Sequence, residues 1–201
     1  PNLYPMGWEK NLVKYIKKTD YSKIPLEKGI IVNNVSTIYA IYEALKYHKP
    51  LTERIVTFTG VNLKRPQNVM VKLGTSASEI IKKVGGTNNN NALYVAGGPM
   101  MGIGIPTDDI IINCNDNCIL VLDNIKQEQV TTCLRCGKCV ESCPAKLSPV
   151  LITENLTKID KLKKLEPQRC VECGLCSYIC PAKINVREKI REAKQILRKE
   201  N

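Results

Sequence analysis

Eight of the chain's ten cysteines fall in two runs, CLRCGKCVESCPAK at Cys133–Lys146 and CVECGLCSYICPAK at Cys170–Lys183. Cys, Cys, Gly, Cys, Cys, Pro, Ala and Lys recur in the same order and spacing, 37 positions apart, while the residues between them differ almost freely. The repeat therefore depends on four sulfurs, a glycine and a proline in fixed geometry. Each unit reads Cys-x2-Cys-x2-Cys-x3-Cys-Pro, the bacterial spacing for [4Fe–4S] ligation. Two-residue gaps let three successive sulfurs converge on three corners of a cubane while backbone amides point at its sulfides. The fourth cysteine lies too far along and precedes a proline that turns the chain away, so it serves the other cluster. Cluster one takes Cys133, Cys136, Cys139 and Cys180; cluster two takes Cys170, Cys173, Cys176 and Cys143. Gly137 and Gly174 let the backbone pass close to the inorganic core. Two structural zincs would also use eight cysteines, but zinc sites usually pair two Cys-x2-Cys knuckles around a longer loop.

The remaining chemistry-bearing residues are sparse. Cys114 and Cys118, in NCNDNC, stand outside the pattern and read as incidental thiols, since a third metal site would need two more ligands. His48 is the single histidine and reads as a surface residue at a helix end. There is no Ser-His-Asp set, no Walker loop and no complete Gly-x-Gly-x-x-Gly. GGPMMGIG at 97–104 is Gly-rich and follows a strand without opening a long helix, which favours a tight turn over a phosphate cradle. These residues support one-electron transfer and no bond-making catalysis.

Composition narrows the setting. The 201 residues suffice for one to two domains, and 43% of them are apolar. No stretch reaches the roughly 18 to 20 apolar residues of a membrane span. The opening PNLYPMGWEKN lacks the order of a signal peptide, so a cytosolic, reducing setting is expected, where clustered cysteines serve as metal or redox ligands. The net charge of +11 raises nucleic acid as a partner, but aromatics are not interleaved with the basic residues as in a stacking groove. Nucleic-acid binding is not expected. From Lys126 onward Lys and Arg outnumber Asp and Glu sixteen to nine, an excess placed where two oxidised clusters with their thiolates would bring about −4.

The elements that must position the cysteines can be read along the chain. In 1–50, WEKNLVKYIKK carries Leu12, Val13 and Ile16 at helical spacing. GIIVNNVSTIYAIYEALKYH reads as a short buried strand, an Asn turn and a helix. Val35, Ile38, Tyr39, Tyr42 and Leu45 form that helix's apolar face, with Asn34 or Ser36 as cap. In 51–124, RIVTFTG alternates, with Val56 and Phe58 on one face, and the turn VNLKRPQN leads into VMVKLG as a hairpin. TSASEIIKKVGG is a short helix capped by Thr75 or Ser76 and stopped by Gly85; ALYVA and CILVLD are further strands. Two strands, a helix and two strands describe a small β-grasp-like unit, so the fold class is α+β. In 125–201, Ile152, Leu156, Ile159 and Leu162 make the 26-residue insert between Cys143 and Cys170 helical, closed by Pro167. The tail is a helix with Val186, Ile190, Ala193 and Leu197 on one face and six basic residues around it, a solvated surface or a docking face.

YPMGWEK, VNNVSTIYAIYEA, KPLTERIVTFTG, GGPMMG and the doubled cysteine frame, in that order, resemble the RnfC family, the C subunit of the Rnf electron-transport complex. That resemblance implies an SLBB-type β-grasp domain at 51–124 and a helical two-[4Fe–4S] ferredoxin domain at 125–201. It makes 1–50 the C-terminal remnant of a flavin- and NADH-binding domain whose phosphate loop would precede Pro1. Gly7, Glu9, Asn33, Asn34 and Thr37 then match flavin-proximal positions, while Trp8 departs from the small or acidic residue common there. FMN is expected only together with that N-terminal domain. The family couples electron flow between reduced ferredoxin and NAD to ion movement across a membrane. The chain is thus expected to be an electron-transfer subunit without a self-contained catalytic site, peripheral at the cytoplasmic face, with the other complex subunits and a redox protein such as ferredoxin as partners. Two relatives share the layout: the electron-transfer protein of clostridial proline reductase systems and the cobalamin reductase of propanediol-using microcompartments. A Lys-, Ile- and Asn-rich composition suits an AT-rich anaerobe and does not separate the three. A zinc-stabilised interaction or nucleic-acid-binding module is the rival of another class.

Overall fold

The computed structural model describes residues 3–19, 21, 24–124 and 129–200 and builds its sheet where apolar residues alternate. β1 (Glu53–Thr59) turns Val56 and Phe58 inward, both fully buried. β2 (Gln67–Lys72) pairs antiparallel with it and buries Val71. α3 (Ala77–Lys83) follows, capped by Ser76, whose hydroxyl accepts from the Ser78 amide at 3.3 Å. Its Ile80 and Ile81 join Val56, Phe58 and Val71 in one core with Ile119 and Val121 of β5 (Cys118–Asp123). β3 (Ala92–Ala96) and β4 (Ile103–Ile105) complete the sheet, in the order β2-β1-β5-β3-β4. β1 and β5 run parallel side by side, and the other pairs are antiparallel. First and last strands paired in parallel, with a helix packed on the sheet, is the β-grasp arrangement. The tight turn read in GGPMMGIG joins β3 to β4, closed by the Gly102 amide donating to the Gly98 carbonyl at 2.8 Å, and only its last two residues enter β4. A three-residue edge strand containing a glycine carries no alternation for sequence to reveal.

α2 (Val35–Tyr47) starts at Asn34, whose side chain accepts from the Ser36 amide at 2.9 Å, and ends at His48 in the left-handed region. None of its residues is buried, and Val35, Ile38, Tyr39, Tyr42 and Leu45 are all exposed. The strand read in GIIV does not form: Ile31 is exposed, and no strand spans these residues.

The cysteine-bearing region is helical, in short pieces. α4 (Lys138–Glu141) and α7 (Leu175–Tyr178) occupy the same place in the two repeats. The insert breaks into α5 (Pro149–Glu154) and α6 (Ile159–Lys164), followed by a single 3-10 turn at Pro167–Arg169. α8 (Val186–Lys199) buries Val186, Ile190, Ala193 and Leu197 against Ile152 of α5 and Leu162 of α6. That is an amphipathic face at helical period.

Two units result, one over 33–126 and the other joining 1–32 to 127–201. Residues 1–50, grouped as one region from sequence, are therefore shared. α1 (Glu9–Lys17) goes with the cysteine-bearing unit and α2 with the sheet. The physical tie is local: the Tyr4 hydroxyl donates to the Cys173 carbonyl at 2.5 Å. The domain boundary drawn between 124 and 125 lies at 125–128, outside the described residues. Among the described residues no helix is long and apolar enough to cross a membrane.

Candidate metal centre

The two repeats fold alike, backbone first. Arg135 and Glu172, second after the first cysteine of each run, both adopt the left-handed conformation, at φ 51° and 56°. That turn aims their amides back at a sulfur: Arg135 N donates to Cys133 Sγ at 3.5 Å and Glu172 N to Cys170 Sγ at 3.3 Å. Gly137 and Gly174 follow at φ 78° and 82°, with ψ near zero, and each opens one turn of helix carrying the third cysteine. Lys146 and Lys183 repeat the left-handed conformation after each Cys-Pro-Ala. Leu147 N donates to Cys143 Sγ at 3.4 Å.

The helices then bring the runs together so that each cavity draws on both repeats. Cys133, Cys136, Cys139 and Cys180 line one cavity, with Gly137, Val150 and Ile184 in its wall. Cys143, Cys170, Cys173 and Cys176 line another, walled by Leu147, Leu175 and Ile190. Three sulfurs of each set come from one run and the fourth from the other.

The two cavities differ in exposure. Cys133 and Cys136 are exposed, whereas Cys173 and Cys176 are buried, Cys176 in the core that α8 closes. Burial pushes the thiols of Cys139, Cys170 and Cys173 up, and that of Cys176 up to about 12. At Cys170 the Glu172 amide and the charge of Lys194 pull the other way. Ionising such thiols needs positive charge brought by what they bind.

The donor set fits an iron–sulfur cluster. Thiolates are the ligands such clusters take, and amides already point at the sulfurs. Among the described residues no three Cys, His, Asp or Glu side chains close on one point as a single metal ion requires. Four sulfurs ranged around a cavity match a cubane held at its corners instead.

Two family models match separate stretches of the chain. Residues 132–184 match the 4Fe-4S dicluster domain family, and residues 55–104 match the SLBB domain family. The C subunit of the ion-translocating oxidoreductase complex of Rhodobacter capsulatus is 39% identical over 153 residues, 74% of this chain. The chain is an RnfC homologue. The same subunit of Pectobacterium carotovorum is 38% identical and that of Yersinia enterocolitica 36%, each over 154 residues and 74% of the chain. The homologue spans 30%, 21% and 22% of these three relatives, less than a third of their length.

In this RnfC homologue, Gly7 and Glu9 belong to the cysteine-bearing unit, while Asn33, Asn34 and Thr37 belong to the sheet unit. Glu9 opens α1 and accepts from the Tyr21 hydroxyl at 3.3 Å; Asn34 is spent on capping α2. Cys118 lies in β5 with its thiol pushed up by burial, and the exposed Cys114 offers its carbonyl to Arg54. Residues not singled out from sequence surround the more buried cavity: Tyr4, Glu172, Arg191 and Lys194. The signal available was spacing. Arg187, Arg191 and Lys194 fall on one helical face beside the buried stripe of α8, and only part of that basic surface is solvated.

Proposed function

We propose that this chain is an electron-relay module holding two [4Fe–4S] clusters, one on Cys133, Cys136, Cys139 and Cys180, the other on Cys170, Cys173, Cys176 and Cys143. The observation that carries the reading is the composition of the two cavities, each built from three cysteines of one run and one of the other. When bound, the clusters supply reversible one-electron transfer. The residues of the chain do the rest. Amides of the left-handed turns orient the sulfurs, α8 keeps water from the second set, and the Cys-Pro turns carry each fourth cysteine across to the other repeat.

In the reading we favour, the module serves an Rnf-type complex, relaying electrons between a flavin/NAD site and a ferredoxin-linked membrane partner while docked at the cytoplasmic face. The homology to RnfC supports this. The N-terminal segment with Gly7 and Glu9 touches the Cys173 loop through Tyr4, which supports a flavin side at the buried site. The exposed Cys133–Cys136 loop then faces the partner.

The test is iron content and visible absorbance after reconstitution without oxygen. About eight irons per chain and a broad absorbance that bleaches on reduction are expected. Cys143→Ala and Cys180→Ala, which each remove a crossing ligand, should lower the iron by about half or more. A colourless wild-type chain with about two zincs would overturn the reading.

A further inference from the structure

We infer that Lys194 is a positioning and tuning residue, a nearly buried ammonium that holds the Cys170 loop and raises the reduction potential of the cluster on Cys143, Cys170, Cys173 and Cys176. The inference rests on the two-cluster reading above.

Lys194 reaches from α8 to the cysteine loop. Its Nζ donates to the Cys170 carbonyl at 2.7 Å and to Glu172 Oε1 at 2.6 Å, with its side chain 12% exposed. Arg191 Nε donates to the other oxygen of Glu172 at 2.6 Å, and Arg191 also pairs with Glu188 at 3.0 Å. Arg187 lines the same cavity and lies 3.5 Å from Glu188. Lys194 is the least exposed of these three cations, and it is the one bonded to a cysteine's own carbonyl.

The first repeat is built otherwise. Arg135 stands where Glu172 stands in the second, 77% exposed and paired with Glu154 at 3.0 Å. That pair is neutral as a whole and screened by water. Two equal ligand frames thus sit in unequal fields.

Reduction adds one negative charge to a cluster, and burial opposes it. A cation in a poorly screened place favours it. Lys194 therefore offsets the penalty that burial beneath α8 imposes on the second site. Its bond to the Cys170 carbonyl also fixes the loop through which that charge acts.

The test is an electrochemical titration followed by electron paramagnetic resonance on the iron-loaded full chain, with iron measured in each variant. Lys194→Gln keeps hydrogen-bonding capacity and loses the charge. It should move one of the two midpoint potentials negative and leave the other in place at unchanged iron. Lys194→Arg should return that potential towards wild type. Glu172→Gln, which removes the carboxylate facing Lys194, should move the same potential positive. Unchanged potentials in Lys194→Gln and Glu172→Gln at full iron content would overturn the tuning role alone. Loss of iron in Lys194→Gln, with Glu172→Gln leaving both potentials in place, would reduce Lys194 to a clamp. A wild-type chain that takes up no iron would remove the two-cluster reading itself, and the tuning role with it.

Discussion

Gly137 and Gly174 differ from the other residues of the repeats that share a positive φ. Arg135, Lys146, Glu172 and Lys183 sit at φ 51–56°, within the small left-handed basin open to any L-residue. The glycines sit at φ 78° with ψ −12° and φ 82° with ψ −9°, outside that basin. This is why the glycines recur in both repeats while the left-handed position before them changes from Arg135 to Glu172. Gly174→Ala should cost about 1–2 kcal/mol of thermal stability in the loaded protein by strain alone. Gly137 has open space where an alanine methyl would stand, so Gly137→Ala should match that cost without any clash. Charge at the neighbouring position behaves differently. Arg135→Ala breaks an exposed pair and should change stability by less than about 1 kcal/mol. Glu172→Ala strands the poorly exposed Lys194 and should cost roughly 1–3 kcal/mol, read by the same thermal melts.

At the scale of elements, legibility followed burial pattern. β1 and α8 were plain in the sequence because each buries one face completely: Val56 and Phe58 at period two, Val186, Ile190, Ala193 and Leu197 at helical period. Phe58→Ala should destabilise the sheet unit by about 3–5 kcal/mol in denaturant unfolding. Gly60→Ala should also be severe, since at φ 127° its Cβ would run into the backbone of Val121; a loss above about 2 kcal/mol is expected. The elements that escaped sequence reading lack such a face. β4 is an edge strand of three residues, and the insert splits at Asn155, where no single periodic stripe continues. The doubled frame proposes two sets of cysteines, because Cys-x2-Cys-x2-Cys keeps three sulfurs close together in the chain, and each proposed set lines one cavity. Spacing could not reveal that one set is more buried than the other. That difference depends on where α8 lands, and with it the place of Lys194.

For the molecule as a whole, the same chain holds helices of similar length in opposite situations. α8 has four residues in a core; α2, 13 residues long, has none. A helix of that length without packing is marginal in water, whatever its cap contributes. Protection of backbone amides against hydrogen exchange should therefore be layered. The strands around Phe58 and the buried side of α8 should exchange near the limit set by global unfolding of their own units. The amides of α2 should exchange orders of magnitude faster, close to the rate of a free peptide. Equal protection in α2 and α8 would mean that contacts made beyond a single chain, such as self-association, stabilise α2 in solution. Stability in this molecule is thus concentrated around the phenylalanine of the sheet and the sulfurs beneath α8, and it thins out along the helix that precedes them both in sequence.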